Sequence, residues 1–294
     1  MTATVLIAGN GYTGAALKSL LKENASNVVS LARRPSAAPH VLADLDDPAT
    51  LGPAITASEA LRADPLDIVY LAPPKTVDGV DVRLMTLLNN LPSSSIRRLI
   101  VASTTGVYGD HKGQPVTEQM PLNPMTERAK NRVALEQTAR QWCDEHEVGL
   151  SLFRIAGIYG PGRLPTSALE RGDPLLDPTF ANPGNRIHVD DLAGAIVAAL
   201  NAASLPPIVN IADGDHMTST AFALLVAETT GIKPPPLISR EEAENVYSPM
   251  RLSFLNESRR IDNRVLTDQL GYVLRYPNAR SGIEASLKAE SASS

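Results

Sequence analysis

The chain is short of the residues that make staples, metal cages, membrane spans and nucleic-acid surfaces. A single cysteine, Cys143, excludes an internal disulfide and a cysteine-rich metal site, and no metal is expected. A chain of 294 residues needs no staple, because on folding it buries about three-quarters of the surface its unfolded form exposes. On its expected helix Cys143 reads as a small buried hydrophobe. Positive charge is also wanting. With 27 Lys and Arg against 32 Asp and Glu the net charge is −5, and no basic cluster exceeds a pair, so no nucleic-acid partner is expected. No apolar run reaches spanning length, and the first residues already read as a core strand and not as a leader. A cytoplasmic protein without membrane contact is the expectation.

What is present is concentrated at the start. Thr4-Val5-Leu6-Ile7-Ala8 is a short apolar run, Gly9-Asn10-Gly11-Tyr12-Thr13-Gly14 follows it directly, and Ala15 to Lys22 reads as an amphipathic helix. A G-x-G-x-x-G between a strand and a helix is the context in which this motif signals dinucleotide binding. Gly9 permits the tight turn, Gly11 lets the backbone approach a pyrophosphate, and Gly14 allows close helix–strand packing. The helix start adds unpaired N–H groups and the positive end of a dipole.

A strand–helix rhythm continues through the next two hundred residues. Strands are expected at 28–32, 41–45, 67–72, 98–103, 150–155 and 208–212. Helices are expected at about 78–90, at 124–147 with Pro124 in the first turn, and at 190–203 with Asp190-Asp191 as the cap. Continuous apolar strands separated by helices predict an α/β Rossmann fold, a doubly wound parallel sheet of about seven strands covered on both faces. Residues 163–186, rich in Pro, Gly and Asp, read as a long functional loop. After residue 212 the rhythm is lost, with a helix at about 219–230 and short pieces at 241–247, 263–270 and 282–289. These predict a smaller, mostly helical C-terminal substrate lobe. The expected division is 1–160 and 186–212 for the dinucleotide-binding domain, with 161–185 and 213–294 for the lobe. Such a lobe would close over the carboxyl ends of the strands, where α/β sheets bind ligands.

The cofactor is read from the second strand. An NAD site usually carries an acid there for the ribose 2′-OH, but the segment is Ser30-Leu31-Ala32-Arg33-Arg34. Two guanidinium groups suit a 2′-phosphate, because arginine meets phosphate oxygens with a planar fork. NADP is therefore expected in preference to NAD, the alternative being a solvated basic turn. Asp44 and Leu45 are placed to reach the adenine edge, and Leu71-Ala72-Pro73 would pass the pyrophosphate or ribose.

Four motifs occur in order: Gly9 to Gly14, Ser103-Thr104-Thr105-Gly106-Val107-Tyr108-Gly109, Arg154 to Gly162, and His188-Val189-Asp190-Asp191-Leu192. With them the chain resembles the extended short-chain dehydrogenases/reductases, also described as the NAD-dependent epimerase/dehydratase family, over nearly its whole length. The resemblance implies Ser103, Ile155 and a basic residue on the following helix as further cofactor contacts. It also implies a Ser/Thr at the fifth strand, which falls on Thr104, and a Tyr-x-x-x-Lys on the next helix. A tyrosine ordinarily titrates near 10, so a neighbouring Lys⁺ must lower it before it exchanges protons near neutrality.

That tyrosine is the telling absence. There is none between Pro121 and Gln141, and the Tyr and Lys positions fall on Arg128 and Arg132. If Lys130 is taken as the lysine instead, its partner is Thr126, so neither register supplies a tyrosine. Arginine stays protonated in proteins, so Arg128 could polarise a carbonyl or clamp an anion but not exchange a proton. Arg132 could replace the lysine's ribose contact and charge. Tyr108, Tyr159, His111 and His188 are the other titratable side chains of these motifs, each with a structural role as its plainer reading.

Three functions stay open. The first is an atypical NAD(P)-dependent oxidoreductase or epimerase acting on a small carbonyl, alcohol or sugar-derived substrate. The second is a catalytically silent NADP(H)-binding sensor or regulator. The third is a nucleotide-sugar dehydratase, for which Thr105-Gly106 replaces the family's Asp-Glu pair. The likeness is closest to an atypical subgroup with Ala72-Pro73-Pro74 and Glu127-Arg128. Arg128, Arg163 and the basic end of the lobe suggest an anionic substrate, the alternative being ordinary surface arginines. Ser258-Arg259-Arg260-Ile261 and the Leu270 to Pro277 stretch read as lobe-positioning segments. Met85, Leu88, Val133, Leu135 and Trp142 would supply the face of a homodimer paired through its helices, as in many members of the family, or are ordinary core.

Overall fold

The computed structural model describes residues 3–24, 27–33, 40–62 and 65–293. Seven strands form the central sheet: β1 (Thr4–Ala8), β2 (Val28–Ala32), β3 (His40–Leu42), β4 (Leu66–Tyr70), β5 (Ile96–Thr104), β6 (Gly149–Ile155) and β7 (Ile208–Ile211). Their spatial order is β3-β2-β1-β4-β5-β6-β7, and every neighbouring pair is parallel. The winding reverses between β1 and β4. In such sheets the crevice at that reversal, beyond the carboxyl ends of the strands, is where ligands bind.

Strand alternation splits the apolar residues between two layers. Leu6 and Ala8 share a core with Leu51, Leu84, Leu135 and Trp142. These come from α2 (Pro48–Ala57), α3 (Val82–Asn89) and α4 (Glu127–His146). Val5 and Ile7 face the opposite way, onto Leu17 of α1 (Tyr12–Glu23) and Leu192 and Ile196 of α5 (Val189–Asn201). Cys143 lies in the first layer, where burial pushes its thiol up to about 12, so it packs and does not react.

The C-terminal segments build the smaller, mostly helical lobe: α6 (Ser219–Thr230), α7 (Arg240–Val246), α8 (Pro249–Leu255) and α9 (Ala279–Ser293). Leu164, Leu169, Phe222, Val226 and Ile283 form a core there. Asp191, fully buried, ties residues 272–276 back to α5. It accepts hydrogen bonds from the Tyr272 hydroxyl at 2.9 Å and from the N–H groups of Arg275 and Tyr276 at 2.7 and 3.0 Å.

The observed elements differ from the expected ones at their ends. Helix α4 starts at Glu127, not Pro124, because the Thr126 hydroxyl accepts from the Ala129 N–H at 3.2 Å and caps it. Helix α5 is capped by His188, whose Nδ1 accepts from the Asp190 N–H at 3.2 Å, and not by Asp190-Asp191. Residues 76–81 form a hairpin before α3, turning through Asp78 at φ 49° and Gly79 at φ 80°. Residues 163–186 are not a bare loop. They hold a helix, Thr166–Glu170, and a two-residue strand, Leu175–Leu176, that pairs with Leu237–Ile238.

The proposed dimer face is core. Leu88, Leu135 and Trp142 are 1%, 0% and 4% exposed, Met85 packs against the same layer, and Val133 packs against a second core cluster that includes Val107 and Tyr108. Periodicity alone does not distinguish an apolar stripe facing a sheet from one facing a second subunit.

A buried polar network that the sequence did not announce binds α4 to three strands. Arg154, 2% exposed, donates from Nε and Nη2 to the two oxygens of Glu136, 0% exposed, at 3.1 and 2.8 Å. Ser103 Oγ donates to the same carboxylate at 2.5 Å. Arg154 Nη1 donates to the Tyr108 hydroxyl at 3.0 Å, and that hydroxyl donates to Asn210 Oδ1 at 2.7 Å. The network lies directly behind the end of β5.

Candidate functional site

A cleft of about 1620 Å³ opens beyond the carboxyl ends of the strands and runs from the glycine-rich turn into the lobe. Every described residue that the sequence nominated for cofactor binding lines it, as do Thr104, Arg128 and Arg132. Arg34 lies outside the described residues. The volume exceeds the roughly 300–1,000 Å³ of a pocket for one small ligand, so there is room for a dinucleotide and a second molecule.

The turn from Gly9 to Gly14 has the shape a pyrophosphate requires. Gly9 is at φ 119°, and a Cβ on it would stand 2.8 Å from the Ala72 nitrogen. A Cβ on Gly14 would strike the Gly9 carbonyl oxygen, whereas one on Gly11 would meet nothing within 4 Å. So two glycines are required by packing and the third faces open space. Gly11 is the N-cap of α1, offers no side-chain cap, and is followed by no acid in the first turn, which leaves the helix end electropositive. The residues present fit a dinucleotide.

Around this turn the strand ends converge. Asn10, Tyr12 and Thr13 come from the turn itself, Arg33 follows β2, and Asp44 and Leu45 follow β3. Leu71, Ala72 and Pro73 follow β4, Ser103 and Thr104 end β5, and Ile155 ends β6. Asp46, also lining the cleft, was not foreseen. It is clamped by Arg83 and by Lys75, and these hydrogen bonds hold its carboxyl well below the usual range.

The middle of the cleft holds Thr104, Arg128 and Arg132. Thr104 Oγ1 accepts from the Gly106 N–H at 3.2 Å, which leaves its own proton to donate. Arg132 Nη1 donates to the Ala102 carbonyl at 2.6 Å, and burial lowers its pKa, with Tyr70 and Asp81 opposing. Arg128, one turn earlier on α4, is exposed at the cleft wall. Ser103 lines the cleft, but its hydroxyl proton goes to Glu136. Among the described lining residues there is no Tyr108, Tyr159, His111 or His188. His188 Nε2 meets Ser286 Oγ at 3.1 Å, and burial lowers its pKa. None of these four side chains lines the cleft.

The lobe half is apolar with arginines set into it. Eight arginines line the whole cleft (33, 83, 128, 132, 163, 186, 251 and 259) against Asp44, Asp46, Asp173 and Glu257. This excess of positive charge stands in a chain of net charge −5. Two of the four carboxylates are already met in the lobe half, Glu257 by Arg259 at 2.6 Å and Asp173 by Arg171 at 2.7 Å. Three arginines are instead laid on rings: Arg163 on Tyr12 at 4.0 Å, Arg186 on Phe222 at 4.4 Å and Arg251 on Tyr247 at 3.5 Å. Arg186 and Arg251 escaped the sequence reading because only the packing of the lobe brings them to the cleft. Arg259 was read as lobe-positioning. It does hold the Gly109 carbonyl at 2.6 Å, yet it also lines the cleft.

Among the described residues no helix is long and apolar enough to cross a membrane, and no group of three or more His, Cys, Asp or Glu could hold a metal ion.

Comparison with known proteins gives a consistent picture. The model of the NAD dependent epimerase/dehydratase family matches residues 5–212. Protein YeeZ of Escherichia coli K12 is 26% identical over 243 residues, covering 82% of this chain and 78% of that one. A UDP-glucose 4-epimerase of Corynebacterium glutamicum is 25% identical over 186 residues, covering 55% of this chain and 56% of that one. A solved structure of a functionally unknown conserved protein from Silicibacter pomeroyi has a TM-score of 0.80 at 30% identity, covering 98% and 99% of the two chains. MoeE5, solved with UDP-glucuronic acid and NAD, shares the fold at a TM-score of 0.78 and 21% identity, covering 99% of this chain and 100% of that one.

Proposed function

Because the chain belongs to the NAD-dependent epimerase/dehydratase family, we propose that it is a nicotinamide-dinucleotide-dependent oxidoreductase or epimerase with NADP(H) as the preferred cofactor. Its substrate is a small carbonyl, alcohol or sugar-derived compound bearing an anionic group. The observation that carries this reading is the single cleft shared by the glycine-rich turn, Thr104 and the lobe arginines. Relatives named as UDP-glucose 4-epimerases support a sugar-type substrate. We take 161–185 and 213–294 as the lobe that holds it, and 1–160 with 186–212 as the dinucleotide-binding domain.

Each residue then has a role in binding or polarisation. Gly9 and Gly14 shape the turn, and the N–H groups at the start of α1 hold the pyrophosphate. Arg33 takes the 2′-phosphate where an NAD site would carry an acid. Asp44 and Leu45 bound the adenine, Leu71 to Pro73 the ribose side, and Arg132 contributes the charge beside the second ribose. A nicotinamide ring bound there supplies the hydride acceptor or donor. Thr104 keeps its proton and donates a hydrogen bond to the reacting substrate oxygen. Arg128 stabilises negative charge developing on that oxygen without exchanging a proton, which passes to and from water.

One observation favours the sensor as a second reading: the tyrosine position is filled by a permanently charged arginine. The cleft tyrosines, Tyr12 and Tyr247, are both raised in pKa by burial, the wrong direction for proton exchange near neutrality. A dehydratase is disfavoured, since buried Thr105 and Gly106 stand where it would need carboxylates. Assays of the purified protein with a panel of aldehydes, ketones and nucleotide sugars decide between these. Turnover that falls about a hundredfold or more in Arg128→Ala, with nucleotide still bound, supports the enzyme. Tight nucleotide binding with no turnover, and a change of conformation or oligomeric state, would establish the sensor instead.

A further inference from the structure

Tyr12 belongs to both halves of the cleft. Its backbone is part of the glycine-rich turn, as the first residue of α1. Its side chain reaches the segment leading into the lobe, where the hydroxyl donates to the Pro161 carbonyl at 2.9 Å and the ring carries the Arg163 guanidinium at 4.0 Å. Gly160 is kept small beneath it: at φ 149°, a Cβ there would lie 2.6 Å from the Tyr12 hydroxyl and 2.8 Å from Val189 Cγ1. From the other side, the Gly162 N–H donates to Glu290 Oε1 of α9 at 2.6 Å. Residues 160–163 are thus pinned between the turn and the last helix, with Arg163 on the cleft wall.

How Arg163 is held matters. Among the described residues no carboxylate is within ion-pair distance of it; the ring is what orients it. A carboxylate partner would neutralise the guanidinium, whereas an aromatic face fixes its plane and leaves its N–H fork for an incoming anion. Arg186 and Arg251 are likewise laid on Phe222 and Tyr247 along the same cleft, but each donates an N–H to a backbone carbonyl, of Met217 and Pro174 respectively.

We infer that Tyr12 is a positioning residue for substrate: its ring sets Arg163 to take a phosphate or pyrophosphate group, so that anion affinity in the lobe depends on a residue of the nucleotide turn. This rests on the reading of an anionic substrate held beside a bound dinucleotide. The phosphate chemistry has two sources, the diphosphate of a nucleotide sugar or a simple phosphate ester, and both place the group on Arg163.

The test is calorimetric titration of inorganic pyrophosphate, and separately of UDP, into protein saturated with NADPH so that the glycine-rich turn is occupied. Arg163→Gln should weaken pyrophosphate about tenfold. Tyr12→Leu should weaken it about three- to tenfold, and the double variant should bind no more weakly than Arg163→Gln alone, since both changes remove one contact. Tyr12→Phe, which keeps the ring, should restore affinity to within about twofold of the natural protein. UDP binding more tightly than pyrophosphate, with the same dependence on Tyr12, identifies a nucleoside diphosphate; equal affinities identify a phosphate ester. Both outcomes support the inference. Pyrophosphate affinity unchanged in Tyr12→Leu, losses that multiply in the double variant, or no anion binding to the NADPH-saturated protein would each overturn it. Should Tyr12→Leu fail to fold, Arg163→Lys keeps the charge but not the planar stack. A loss of about threefold or more is expected there, and natural affinity would overturn the inference. Absence of NADPH binding at the saturation step, read by fluorescence, would instead sink the cofactor reading on which this rests.

Discussion

At the scale of single residues the three motif glycines do different work. Gly9 and Gly14 are packed so closely that a methyl group would strike backbone, while the space beside Gly11 is open. Gly11→Ala should therefore melt within about a degree or two of the natural protein, as expected for a change that clashes with nothing, yet bind NADPH at least tenfold more weakly, because the added carbon stands where the pyrophosphate approaches. Gly9→Ala should lose both stability and binding, which thermal melts and fluorescence titration read directly. A second residue prediction concerns Asp213, 4% exposed and not part of the cleft wall. Burial pushes its carboxyl up to about 8; Asp215 and Asp191 also raise it, while the Asp215 N–H and Arg186 lower it. Its folded pKa exceeds the unfolded value, so the folded state holds the proton more tightly. The associated stability is complete below the unfolded pKa, about 4, and is lost as pH rises through 8. Asp213→Asn, which mimics the protonated form, should flatten this fall: denaturant unfolding should show the variant gaining on the natural protein between pH 5 and pH 8. A constant difference across that window would show that Asp213 does not titrate there.

At the scale of elements, the Glu136–Arg154 pair locks α4 against β5 and β6 just behind Thr104. Glu136→Gln leaves a buried guanidinium without its counter-charge and should cost about 3–5 kcal/mol in urea unfolding. A double replacement of Glu136 and Arg154 by apolar residues of similar volume should cost much less, because no uncompensated charge remains. This is also the scale at which the sequence was most and least readable. In a parallel sheet every strand ends at the same edge, so the residues just after each apolar run reach the ligand crevice by topology alone. Arg33, Asp44 and Leu71 to Pro73 were legible for that reason, whereas Thr104 and Ile155 came from the family resemblance. The Glu136–Arg154 pair was not, because it joins positions 18 apart across a helix-to-strand connection and neither residue belongs to a ligand motif. The caps at Thr126 and His188 were missed because proline and aspartate are common signals at helix starts, and the geometry chose a hydroxyl and an imidazole instead.

At the scale of the molecule, the chain folds into a doubly wound sheet and a helical lobe, and described residues of both line an arginine-rich cleft. The lobe was legible only as a loss of strand–helix rhythm. Arg186, Arg251, Phe222 and Tyr247 come to the cleft through tertiary packing that no local pattern encodes. A ligand that bridges the two parts stabilises the folded state by mass action, so a nicotinamide dinucleotide at a hundred times its dissociation constant should raise unfolding free energy by about 2.7 kcal/mol and the melting temperature with it. The central claim is that the glycine-rich turn and Arg33 bind a dinucleotide carrying a 2′-phosphate. Fluorescence titration of the purified protein with NADPH and with NADH tests it most directly. Binding of both, with NADPH tighter by about tenfold or more and the difference removed in Arg33→Ala, is the predicted result. A preference for NADH would contradict the role given to Arg33, and binding of neither would contradict the claim as a whole.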